Sequence, residues 1–152
     1  MRIAHLSDIH LGYRAYSKVN QFGQNQREAD VMESFRDALK KTLRAEPDLV
    51  LITGDLFHTV RPSNTSLLNA YQALRQFQER RRGAPLVIIA GNHETPRSAE
   101  SVCILALFKH LPGVSVVYSD IEVLDLTHLG VSVTCIPSRG VQEIERRLLA
   151  PD

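Results

Sequence analysis

The 152-residue chain has no excess of charge of either sign: 18 Lys and Arg stand against 17 Asp and Glu. A near-neutral chain exerts no strong general pull on nucleic acid, so any such binding must come from a local patch. Cysteine is scarce. Cys103 and Cys135 lie far apart within apolar stretches, which excludes a disulfide framework and predicts two buried thiols in a reducing, cytoplasmic setting. No apolar run nears the roughly 20 residues that span a bilayer, and Met1-Arg2 leads into a short strand rather than a signal peptide, so no membrane partner is expected. There is no repeat, low-complexity tract or linker. What is present is a hydrophobic fraction of 43%, ordinary for a globular chain, in a length that allows one domain with a real core.

Strand-like and helix-like segments alternate. Residues 2–6, 48–53 and 85–90 are continuous apolar runs. Between them, Gln26 to Arg44 places Val31, Phe35, Ala38, Leu39 and Leu43 on one helical face. A second helix, capped by Ser63 or Asn64, runs to about Arg82 with Leu67, Tyr71, Leu74 and Phe77 inward. Continuous apolar strands separated by helices predict a parallel sheet covered on both faces. Ser98 to His110 is expected to be helical. Three β-prone segments (114–118, 121–126, 131–136) are close enough together for a meander, and Gly140 to Ala150 reads as a last helix. The run Glu79-Arg80-Arg81-Arg82 is explained by the dipole at a helix C-terminus, with contact to DNA as the alternative.

In open parallel sheets, ligands bind at the carboxyl ends of the strands. The first strand is followed by SDIHLG, the second by TGDLFH and the third by AGNHE. Each segment alone has an ordinary explanation: Asp8 as a loop residue or cap, Asp55 and Asn92 as turn residues after glycine, His93 as a hydrogen-bonded structural histidine. Together, at three successive strand ends, they predict one shared site. Asp8, His10, Asp55 and Asn92 offer hard oxygens and an imidazole, a set suited to manganese, iron or zinc. Asp55 is placed to bridge two cations, whose chemistry would be hydrolysis of a phosphoester. His93 adjoins Asn92 and is better placed to protonate a leaving oxygen than to ligate the same ion, with Glu94 orienting it.

The series D-x-H, G-D, G-N-H-[DE] resembles the calcineurin-like metallophosphoesterase superfamily. Within it, HLSDIHLGYR, the loop to NQRE, DLVLITGDLFHTVRPS and VIIAGNHE look like the SbcD-type nucleases of DNA double-strand-break repair, over about residues 1–100. The resemblance implies an α/β fold, a sandwich of β-sheets flanked by helices, of which residues 1–152 are the N-terminal portion. It further implies that Asp8, His10 and Asp55 hold one metal, that Asp55 and Asn92 hold a second, and that His93 is the catalytic histidine. His58 would lie beside the site and affect how DNA ends are handled. The implied cofactors are two divalent ions, typically Mn2+, with Fe2+ or Zn2+ as alternatives. The implied partners are DNA, an SbcC-like coiled-coil ATPase and a second copy in a homodimer.

The sequence also departs from that pattern. The six histidines are His5, His10, His58, His93, His110 and His128, and no two form the H-x-H pair that the family places further on. His128 reads as a hairpin turn and His110 as a helix end. The expectation is therefore a chain that ends before the later ligands. Its metal binding should be weak and favour Asp8, His10 and Asp55, it should have little nuclease activity alone, and its exposed sheet should favour self-association. Two other readings stay open: a phosphoesterase for small phosphodiesters or phosphoproteins, and a non-catalytic surface for dimerisation or partner binding, built on Tyr13, Tyr16, Phe22 and the polar run Gln21 to Gln26.

Overall fold

The computed structural model describes residues 1–96, 98 and 101–149. Four short strands, β1 (Ile3–Leu6), β2 (Leu49–Thr53), β3 (Leu86–Ile89) and β4 (Val114–Val117), form one sheet in the order in which they occur. All three pairings are parallel. The first two crossovers are helices, α1 (Gln26–Ala45) and α2 (Asn64–Arg80), and the third contains a 3-10 helix at Ile104–His110. A sheet wound in sequence order with crossovers of one hand carries them all on one face. The core shows this: Met32, Phe35 and Leu39 of α1, Ala70, Leu74 and Phe77 of α2, and Leu105 and Phe108 pack on Val50, Ile52, Leu86, Ile88 and Val116. The opposite-facing residues Leu49, Val87 and Val117 meet Cys135, Leu124, Leu126 and Val133. These belong to an antiparallel hairpin, β5 (Glu122–Leu126) and β6 (Val131–Cys135), joined through a 3-10 turn at Thr127–Leu129 that contains His128.

α1 starts at Asn25, whose side chain accepts from the backbone N–H groups of Arg27 and Glu28, and α2 starts at Ser63, which accepts from Ser66. The expected helices therefore stand within two residues of their sequence limits. At the end of α2 the half-buried Arg81 guanidinium donates to the carbonyls of Pro47, Ala84 and Pro85. Of the arginine cluster, Arg81 thus ties the end of α2 to the chain segments that precede β2 and β3. Both cysteines are free and buried.

Three expectations are corrected. Ser98 to His110 does not form one helix among its described residues. Cys103 is extended, buried and directed to the carbonyl of Glu94, so helical turns begin only at Ile104, and with Pro112 ahead they are too few for a regular α-helix. The segment 114–117 is not part of a meander; it pairs parallel with β3, and only β5 and β6 form the antiparallel pair. The sheet is covered on both faces at β2 and β3, but β1 is an edge with Ile3 and His5 exposed. The last helix, α3 (Ser138–Leu149), begins two residues earlier than expected, and Ala150 lies outside the described residues. No helix is long and apolar enough to cross a membrane among the described residues.

Candidate metal centre

The loops that leave β1, β2 and β3 are laced together by their backbones. The amide of Asp8 donates to Gly54, that of His10 to Asp55, that of Leu11 to Leu56 and that of His58 back to Leu11. Gly54 in turn donates to Ile89. Three of the side chains expected in the site sit on residues with left-handed backbone: Asp8 (φ 54°), His10 (φ 53°) and Asp55 (φ 53°). Such conformations cost a non-glycine residue about 1–3 kcal/mol each and persist where the surroundings hold them. Here the ladder between the loops holds them, and the result is convergence. Asp8, His10 and Asp55 each present a ligand atom within 4.8 Å of the others.

Asp55 is buried and uses its two oxygens differently. Oδ1 accepts the backbone N–H of His93 at 3.1 Å, whereas Oδ2 lies 3.9 Å from Nε2 of His10, too far for a hydrogen bond. The third loop is locked from beneath by Glu94, which is fully buried. Its carboxylate accepts the N–H groups of Asp55 (3.2 Å), Phe57 (2.6 Å) and Gly91 (3.1 Å). Burial raises the Glu94 pKa, and these backbone bonds oppose the shift. In the structure Glu94 ties the second loop to the third. The ring of His93 is set by the carbonyl of His58, 2.6 Å from Nδ1. Gly91 has no room for a side chain, because a Cβ there would run into Asp55. Asn92 sits between Gly91 and His93 on this loop, exposed to solvent.

His58 closes the group. Its Nδ1 is 3.4 Å from Nδ1 of His10, and its ring centroid is 5.1 Å from that of His93. Burial, together with the His93 and His10 imidazoles, lowers its pKa, and Asp55 opposes the shift. His10, His58 and His93 form a second set of ligand atoms within 4.8 Å of one another. Tyr13, one of the residues offered from sequence for a dimerisation or partner surface, has its ring edge-on to His58 at 4.7 Å. Its place in the site is legible only from its distance to His10 along a turn, in which the amide of Tyr13 donates to the carbonyl of His10. Further along that loop, Tyr16, Val19 and Phe22 are exposed. The loop is anchored by Arg14, which donates to Glu28 at 2.7 Å, and Glu28 also accepts from Ser66.

The donor set of carboxylates plus imidazole fits a divalent ion of the manganese, iron or zinc group better than a thiophilic one, and both thiols are remote from it in sequence and buried. The family model for calcineurin-like phosphoesterases matches residues 1–147. The chain belongs to that family. Curated relatives agree with it. The chain is 40% identical over 109 residues to the DNA double-strand break repair protein Mre11 of Methanocaldococcus jannaschii, covering 72% of this chain and 28% of that protein. It is 33% identical over 113 residues to the Mre11 protein of Methanococcus maripaludis, covering 74% and 28% respectively. With Mre11 of Archaeoglobus fulgidus it shares 34% identity over 94 residues, 62% of this chain and 19% of the relative. The matched part of this chain thus corresponds to under a third of each relative.

Proposed function

We propose that the chain carries part of the active site of a two-metal phosphodiesterase that cuts DNA at broken ends. The observation that supports it best is the convergence of Asp8, His10 and Asp55, on loops next to the one that carries Asn92 and His93, in a chain similar to proteins named for double-strand-break repair. Asp8, His10 and Asp55 would hold one ion and Asp55 with Asn92 a second; manganese is the metal proposed. When bound, such ions supply an acidified water and hold the attacking and leaving oxygens of a phosphodiester.

The chain's own residues define the rest. The His58 carbonyl accepts the Nδ1 proton of His93, so Nε2 is the atom left to exchange a proton with the leaving oxygen. Asp55 fixes the same residue through its main-chain N–H. His58 lines the site with its ring and places His93 with its carbonyl, so its role with DNA ends is one of positioning. Glu94 joins the second and third loops by accepting from three main-chain donors. Residues 1–152 form the N-terminal part of the catalytic domain on this reading, with further ligands lying outside them. An SbcC-like ATPase and a second copy of the chain are the proposed protein partners.

The test is cleavage of linear duplex DNA against bis(p-nitrophenyl) phosphate, with Mn2+, in the longest natural form of the protein. We expect Mn2+-dependent DNA cleavage that falls about 100-fold or more in His93→Ala. Hydrolysis of the aryl diester with DNA left intact would instead favour a small-molecule phosphodiesterase.

A further inference from the structure

The two-metal reading uses one imidazole as a ligand, yet three stand together. We propose that His10, His58 and His93 form a separate tetrahedral site for a zinc-type ion, and that filling this site withdraws His10 from the carboxylate site. Zinc–imidazole bonds of about 2.0–2.1 Å place two nitrogens of a tetrahedron about 3.3–3.4 Å apart. Nδ1 of His10 and Nδ1 of His58 are 3.4 Å apart. Around such an ion the ring centres fall roughly 5 Å from one another, and the three centroid separations here are 5.3, 4.7 and 5.1 Å.

For His93 the lone pair is also in place. A ligating histidine commonly donates its other ring N–H to a carbonyl, which fixes its tautomer. His93 has that arrangement, with the His58 carbonyl at Nδ1, so its Nε2 carries the lone pair. The rings are half-buried; His10 stands edge to face against His58 and His93, and Tyr13 against His58, while His58 and His93 are tilted by 32°. Three histidines leave a fourth position for water, a common zinc geometry. Nitrogen-rich sites favour zinc, nickel and copper over manganese, whereas the Asp8, His10 and Asp55 set favours manganese.

His10 is common to both sets and faces each with a different atom: Nδ1 towards His58 and Nε2 towards Asp55. A neutral imidazole has one lone pair, so His10 serves one site at a time. Zinc would then act as an antagonist of manganese, engaging His10 and His93 together. This antagonism rests on the two-metal reading of the previous subsection; the three-imidazole site does not.

The test uses Co2+ as a spectroscopic stand-in for zinc in the 152-residue chain, with Mn2+ followed separately by its solution EPR signal. We expect the intense visible absorption of four-coordinate Co2+, displaced by one equivalent of Zn2+. His58→Ala should weaken Co2+ binding by more than the roughly 10–100-fold that loss of an outer-sphere hydrogen bond costs, and His93→Ala should do the same independently. Asp8→Asn should keep the Co2+ band and lose Mn2+ binding, and Zn2+ should release Mn2+ from the unaltered chain. A Co2+ band unchanged in both histidine variants, or no such band in the unaltered chain, overturns the three-imidazole site. A Co2+ band as expected with Mn2+ undisturbed by Zn2+ overturns the antagonism. Absence of Mn2+ binding beside a normal Co2+ band counts against the two-metal reading alone.

Discussion

Glu94 has the most to lose by substitution. Its carboxylate is the acceptor for three main-chain N–H groups on two loops, and an unsatisfied buried donor costs about 1–3 kcal/mol. Glu94→Ala should therefore lower stability by more than about 3 kcal/mol, read as a shift in the urea midpoint, and Glu94→Gln by less because one acceptor oxygen survives. Gly91→Ala should cost about 1–3 kcal/mol, the range for forced overpacking, and should also weaken metal binding because the residue displaced is Asp55. At this scale the motif spelled out which side chains meet. Asp8, His10, Asp55 and His93 stand together in the structure as their places after successive strands implied. What the letters could not carry is backbone: the left-handed φ of three ligand candidates is imposed by hydrogen bonds from a neighbouring loop some 45 residues away in the chain. The same holds for the His58 carbonyl at His93, a contact made by main chain and hence by no residue type.

Among the elements, α1 and α2 were legible because 3.6-residue periodicity and side-chain caps are local signals. Asn25 illustrates the strength of such a cap. It accepts from two amides of α1 and donates to the Tyr16 carbonyl, thereby joining the loop after His10 to the helix. Asn25→Ala should cost about 1 kcal/mol, checked by thermal unfolding, and hydrogen exchange should quicken across residues 12–25 rather than in the sheet. The third crossover is not legible in the sequence: its apolar spacing suits a helix, while burial of Cys103 in extended backbone is a tertiary event. The partner of β4 was illegible for a related reason. The four residues VSVV, three of them valine, carry no direction of pairing, and it is the crossover over the core face that makes the pairing parallel.

For the molecule as a whole, every candidate catalytic residue hangs on the carboxyl edge of one sheet, and the core beneath is built so that the loops cannot move independently. Phe57, which follows the Asp55 loop, is fully buried and stacks on Phe108, so the second loop is anchored in the same core as the third crossover. Ligand binding at such an edge stabilises the fold by mass action, by about 2.7 kcal/mol at a hundredfold excess over Kd. The direct test of the metal centre is calorimetric titration of the 152-residue chain with Mn2+, beside Asp55→Asn. Saturable binding at the carboxylate–imidazole set, abolished by Asp55→Asn while the fold is retained, is the predicted result. Binding that is unchanged in Asp55→Asn, or no binding at millimolar Mn2+, would contradict the account.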